Sequence, residues 1–170
     1  VVARSFRADG RTGGSDHGRR AAEVVASIAP NATLYLVNFS TVTELNAAVD
    51  YLVQERVDIV SFSLGYVHNG FGDGSGAVNE AVRRGTAAGQ AWSVASGNWA
   101  QQHWSGAYLD GDRDGMHEFA PGRQANPHTF VQGDLMTVSL RWDEPPGQAC
   151  SDYDLELRGP GELLGQRQHG

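Results

Sequence analysis

"TVTELNAAVDYLVQERVDIVSFSLG", residues 41–65, decides the fold. Thr41 and Glu44 stand three apart ahead of an apolar series, the spacing of a capping box, so a helix begins there. Leu45, Ala48, Val49, Leu52 and Val53 recur at helical intervals and predict one buried stripe. After a short polar break, the near-continuous apolar run of 57–65 predicts a strand covered on both faces. The same grammar continues on either side. Upstream, "TLYLVNF" (33–39) is another such strand. Before it, residues 17–29 place Ala21, Val24, Val25 and Ile28 on one helical stripe, with Ser15 or Asp16 to cap and Pro30 to stop. Downstream, a glycine loop leads into "GAVNEAVRRGTAAG" (76–89), a helix with Val78, Ala81 and Val82 inward, and then the strand "AWSVASGN" (91–98). Strands alternating with helices predict an α/β fold: a parallel sheet with right-handed crossovers and helices on both faces.

From about Trp104 the helical period disappears. "HTFVQGDLMTVSLRWDEP" (128–145) and "SDYDLELRGPGELLG" (151–165) alternate apolar and polar residues between turn signals. That pattern predicts a small antiparallel β-sandwich with Trp104, Phe130, Trp142 and Tyr153 in its core. The expected division is an α/β unit over 1–103 and a β-rich unit over 104–170.

Composition narrows the function classes. Of 170 residues, 40% are hydrophobic, enough to build a core. A net charge of −7 argues against nucleic acid or an anionic membrane surface as partner. No apolar run reaches the roughly 18 residues that a spanning helix needs. The chain opens on "VVARSF", without a signal peptide. Cys150 stands alone, so the sequence builds no internal disulfide and no cysteine zinc site.

Three short motifs carry the chemistry. His17 opens the first helix, where the positive end of the helix dipole favours a neutral imidazole that can accept a proton. Taken alone, a histidine there is far more often a satisfied structural or plain surface residue. "SLG" (Ser63, Leu64, Gly65) and "SGN" (Ser96, Gly97, Asn98) end two of the predicted strands, where open α/β sheets place their binding crevice. Asn98 offers an amide donor that could meet a developing oxyanion. Each of these two motifs is also, by itself, an ordinary exit from a strand.

In that order, His17-Gly18, Ser63-Leu64-Gly65 and Ser96-Gly97-Asn98 resemble the subtilisin-like serine proteases, the subtilase family. The intervening "IAPNATLYLVNF" and "AVNEAVRRGTAAGQAWSVASGN" are similar to that family's successive strand and helix units. The resemblance spans residues 15 to about 105. It implies hydrolysis of peptide bonds by a serine nucleophile, with His17 as general base, an aspartate holding its ring, and Asn98 in the oxyanion hole. Ser63–Gly65, with Ser96 and Gly97, would bind the extended substrate backbone as an added strand.

The chain departs from the family pattern in three places. No G-T-S serine motif occurs; Ser75 and Ser105 lack a nucleophile-elbow pattern, so the serine is expected beyond Gly170. Asp9 has no recognisable strand before it and Asp16 is too close to His17, so the aspartate is expected before Val1. Arg19 stands where the family has threonine. Glu23 raises a carboxylate-base variant, but lacks the second acid at the spacing that variant uses. The expectation is therefore part of a secreted serine endopeptidase, inactive on its own, acting on polypeptide and needing no cofactor for catalysis.

The β-rich part resembles an accessory domain that some subtilases insert before the serine. Its "DGDRDG" places Asp110, Asp112 and Asp114 at alternate positions, with Glu118 at the ninth, as in the opening of an EF-hand-type loop that would hold calcium. Pro121 stands where the twelfth-position glutamate belongs, and an acidic solvated turn is the competing account. The alternative function is a non-catalytic α/β scaffold whose β module binds calcium or an extracellular polymer.

Overall fold

The computed structural model describes residues 1–12, 15–66, 70, 73–129, 131, 133–144, 148–159 and 162–167. They form two compact units, one of 1–96 with 140–170 and one of 97–139. In chain order the elements are β1 (Val2–Ser5), α1 (His17–Ile28), β2 (Tyr35–Asn38), α2 (Val42–Gln54), β3 (Ile59–Phe62), α3 (Ala77–Ala87), β4 (Ala91–Val94), β5 (Leu155–Gly159) and β6 (Glu162–Arg167). β1 pairs in parallel with β2, Val2 opposite Tyr35. β3 pairs in parallel with β4, Ile59 opposite Ala91. Mixed helices and short parallel ladders make this an α/β fold.

The helix predicted from the capping box is present, and the box is complete. Thr41 Oγ1 accepts the Glu44 N–H at 3.2 Å, and Glu44 Oε2 accepts those of Thr41 at 3.0 Å and Ser40 at 2.7 Å. The other oxygen of Glu44 reaches further, accepting the Ala8 N–H at 2.8 Å. One carboxylate thus starts α2 and pins the chain that leaves β1. These backbone donors hold its pKa below the ordinary glutamate value.

From that start α2 presents Leu45, Ala48, Val49 and Leu52 to the core. Leu45, Val49 and Leu52 meet Val60 and Phe62 of β3 and Ala81 of α3, with Tyr35, Val37 and Phe39 packed against them. Each fully buried aliphatic side chain contributes about 1.5–3 kcal/mol. Phe62 is the hub of the aromatic part, 6.1 Å from Phe39 and 5.8 Å from Trp92 between ring centres. Arg84 of α3 bonds Asn46 Oδ1 at 3.0 Å and Asp50 at 3.2 Å, which locks α3 beside α2. Close approach of α3 to β4 depends on Gly85, where an added Cβ would meet Trp92 Nε1 at 2.5 Å and Gln90 Oε1 at 2.6 Å.

Four expectations are corrected. The stripe predicted for α1 is not buried: Val24 and Ile28 are 60% and 80% exposed. Only the small Ala21 of that stripe is half-buried. β3 is covered on one face only, with Val60 and Phe62 inside and Ile59 out. A strand does precede Asp9, since Val2–Ser5 pairs with β2. The antiparallel sandwich is not seen among the described residues, which hold one hairpin, β5 with β6, and one isolated bridge, Ala120 with Arg123. Met136, Val138, Leu140 and Trp142 alternate as a strand would, but among the described residues no strand pairs with them and no second sheet faces them. Trp104 is part of an aromatic cluster with His117 and Phe119, and Trp142 packs edge-on against Tyr153. Phe130 lies outside the described residues.

Two outcomes follow from this packing. Gly85→Ala gains about 1 kcal/mol of helix propensity but overpacks the Trp92 contact by about 1–3 kcal/mol, so a lowered urea midpoint is expected; a raised one contradicts the packing. The stability contributed by Glu44, whose folded pKa is depressed, is complete above its unfolded value and lost as pH falls through the folded one. The stability gap between wild type and Glu44→Gln, followed by denaturant titration, should therefore be widest at neutral pH and close under acid.

Candidate functional site

Two of the predicted motifs of the first unit leave strands directly, and the third opens the helix after β1. His17 is the first residue of α1, on the connection that leaves β1. Ser63, Leu64 and Gly65 leave β3, all exposed. Ser96 leaves the neighbouring strand β4, two residues past Val94, which stands opposite Phe62. The Ala95 N–H donates to Phe62 O at 3.1 Å, so the ladder continues one step beyond the strands before the two chains part. Ser63 and Ser96 therefore start from adjacent strand ends.

The connection that leads to His17 is stitched to the strand ends. Arg11 O accepts from Ser5 Oγ at 3.2 Å and from Asn38 Nδ2 at 3.0 Å. Asp9 accepts from Arg7 Nε at 2.9 Å and from the Arg11 N–H at 3.0 Å. The Arg7 guanidinium, with the backbone donor second, lowers the Asp9 pKa to about 2. Asp9 is spent on holding its own turn, and no bond joins it to His17 among the described residues.

The first turn of α1 is fixed without a side-chain cap. The His17 N–H donates to Ser15 Oγ at 3.1 Å. Asp16, at the cap position, instead binds Arg20 Nε at 2.7 Å and Arg19 Nη2 at 3.1 Å. Arg19 also pairs with Glu23. This answers what the arginine after His17-Gly18 does: two carboxylates draw its guanidinium along the exposed side of the helix. Glu23 is occupied by the same contact. The His17 side chain is exposed and takes no hydrogen bond among the described residues.

Gly97 and Asn98 belong to the second unit. Gly97 has φ +95°, a region open to glycine, and a Cβ there would collide with the six-membered ring of Trp99. Asn98 is exposed. Trp99 O accepts the Gln102 N–H at 2.9 Å, which folds the following turn.

The acidic loop of the second unit is closed and ordered by its own bonds. Asp110 accepts the N–H groups of Asp114 and Gly115, both at 3.1 Å. Asp114 accepts from the Met116 N–H at 2.9 Å and from Gln124 Nε2 at 2.8 Å, which lowers its pKa. At the loop ends, the Glu118 N–H donates to Leu109 O at 2.7 Å and the Leu109 N–H to His117 Nδ1 at 3.2 Å. One carboxylate oxygen from each of Asp110, Asp112 and Asp114 lies within 4.8 Å of the others. Glu118 is 9% exposed, its carboxylate directed at the Gly111 segment of the loop. Partial desolvation, then the like charges of Asp114, Glu118 and Asp110, raise the Asp112 pKa. Asp152 and Asp154 are exposed and outside any strand.

Sequence reasoning did not find the Ala8 contact of Glu44 or the Trp99 ring on Gly97. The capping box pointed to Glu44, but its 36-residue reach has no local signal. Among the described residues no helix is long and apolar enough to cross a membrane. No curated protein and no solved structure matches the chain. The family model Peptidase_S8, described as the subtilase family, matches residues 9–117. That span holds His17, the Ser63–Gly65 strand exit and Asn98, and covers more than half the sequence: the chain belongs to the subtilase family.

Proposed function

We propose that this chain is the part of a secreted subtilisin-like serine endopeptidase that supplies the general base and one oxyanion donor, with residues 104–170 as an inserted accessory segment. His17 takes the proton of a serine hydroxyl as it attacks the peptide carbonyl, then returns it to the leaving amine. The Asn98 carboxamide donates to the tetrahedral oxyanion, and Ser63–Gly65, Ser96 and Gly97 hold the substrate in extended form. The nucleophile and the aspartate are contributed by chain outside residues 1–170. One observation carries this reading: His17, Ser63–Gly65 and Ser96–Asn98 each follow a strand of a parallel ladder, in order, inside the family match.

We further propose that Asp110, Asp112, Asp114 and Glu118 hold calcium in a structural role. Four carboxylates offer only hard oxygen donors, which suits that cation, and no lysine or arginine pairs with any of the four among the described residues. The ion would neutralise the crowded negative charge of a loop whose backbone is already closed by its own hydrogen bonds.

The protease reading is tested on the product of the complete reading frame. A fluorophosphonate should label a serine, His17→Ala should abolish labelling, and Asn98→Ala should cut kcat by about 10²–10³-fold. A product that is folded and never labels would leave the non-catalytic binding scaffold as the better account. The calcium reading is tested on the chain itself. Calcium should raise the thermal midpoint, EDTA should reverse the rise, and Asp112→Asn should remove it, because a ligand bound only by the folded state stabilises that state. A midpoint indifferent to calcium overturns it.

A further inference from the structure

We propose that Arg141 is a positioning residue for substrate binding: it ties the chain that re-enters the first unit to the connection that follows Ser63–Gly65. The inference rests on the protease reading, in which those residues hold the extended substrate backbone. The second unit interrupts the first between Ser96 and Leu140, so Arg141 is the second residue after the return. Its Nη1 donates to Gly70 O at 2.7 Å, a bond between positions 71 apart in the chain. Both partners belong to the unit that holds His17.

The connection from Gly65 to α3 is held at both ends. Where it leaves β3, the Tyr66 ring stacks on Phe62, 6.3 Å away between centres. Where it enters α3, Asp73 Oδ1 accepts the Ser75 N–H at 2.8 Å, Arg83 Nη2 donates to Gly74 O at 3.1 Å, and Asn79 Nδ2 donates to Ser75 O at 2.7 Å. Gly70 lies between these ends, its backbone so close to the second that an added Cβ would meet Ser75 O at 2.8 Å. The Arg141 bond therefore fixes the middle of the connection from outside it. The donor stands on a segment that is itself folded back. The next residue, Trp142, packs edge-on against Tyr153 at 5.3 Å, and Glu144 accepts the N–H groups of Cys150 at 2.8 Å and Ser151 at 2.9 Å. A guanidinium donor makes a stronger bond than a neutral one. Backbone freedom left in a binding segment is a cost that each binding event must meet. Releasing Gly70 weakens substrate binding without touching the groups that do chemistry, a loss of uniform binding that raises KM and spares kcat.

The experiment uses the product of the complete reading frame and two p-nitroanilides, an acetylated tetrapeptide and acetyl-alanine, whose single residue gives a strand nothing to pair with. Arg141→Ala should raise the tetrapeptide KM about 3–10-fold, the size of one hydrogen bond's net contribution, with kcat unchanged and the single-residue substrate unaffected. Arg141→Lys keeps a donor on a long stem and should fall between; it gives the same readout if Arg141→Ala does not fold. Hydrogen exchange in peptides covering 66–76 should quicken in both variants, which reads the tie without any substrate. A purely structural arginine would lower activity on both substrates alike. An unchanged tetrapeptide KM, equal losses on both substrates or unchanged exchange overturns the assignment of Arg141 while leaving the protease reading intact. A folded wild type that neither cleaves nor takes the fluorophosphonate removes both.

Discussion

The burial of one face of α2 is the constraint on which the first unit depends. Leu45, Val49 and Leu52 form the lid of a core whose floor is Val60 and Phe62, with β2 residues packed against the same side chains. Two-stranded parallel ladders are poor structures by themselves, since they bury little and pair weakly. Here each ladder is supported because the same helix lies against it. Arg84 then brings α3 into register with α2, so the second crossover is held to the first by ions and amides as well as by apolar contact.

Where α2 begins matters as much as what it buries. Glu44 collects backbone donors from two connections that leave parallel strands, and so couples the start of a core helix to the loop that approaches His17. The site side of the unit is otherwise made of small polar ties: Ser5 and Asn38 on one carbonyl, Asp9 on its own turn, Ser15 under His17. No single tie is strong, because exposed hydrogen bonds and ion pairs each contribute little. Their common effect is to remove alternatives for the backbone, not to supply much stability.

Much of this was legible in the sequence, and what was not has physical reasons. The capping box and the spacing of Leu45, Ala48, Val49 and Leu52 are local rules, and they gave α2 with its buried face. The same rules gave α1 as a helix but misjudged its burial: periodicity says which residues share a face, not whether anything covers it. β1 escaped notice because "VARS" is short and ends in polar residues, so only its pairing with β2 identifies it. The tail misled in the opposite sense. Alternation in Met136, Val138, Leu140 and Trp142 specifies a face, whereas a sheet also needs a neighbouring strand, and that is a long-range property. Of the site, the order of motifs was visible; the Trp99 ring on Gly97 was not, because it depends on one side-chain rotamer and one positive φ.

The two ladders of the first unit have one more consequence. Among the described residues β1 with β2, and β3 with β4, are paired on one side only, so each strand carries a row of unmatched amides and carbonyls along its other border. Such borders invite a further strand, from the same molecule or from another. Four-residue length restrains the invitation, because a visiting segment finds too few amides to compensate for being straightened. Lengthening any of these strands by engineering would trade that protection for stickiness.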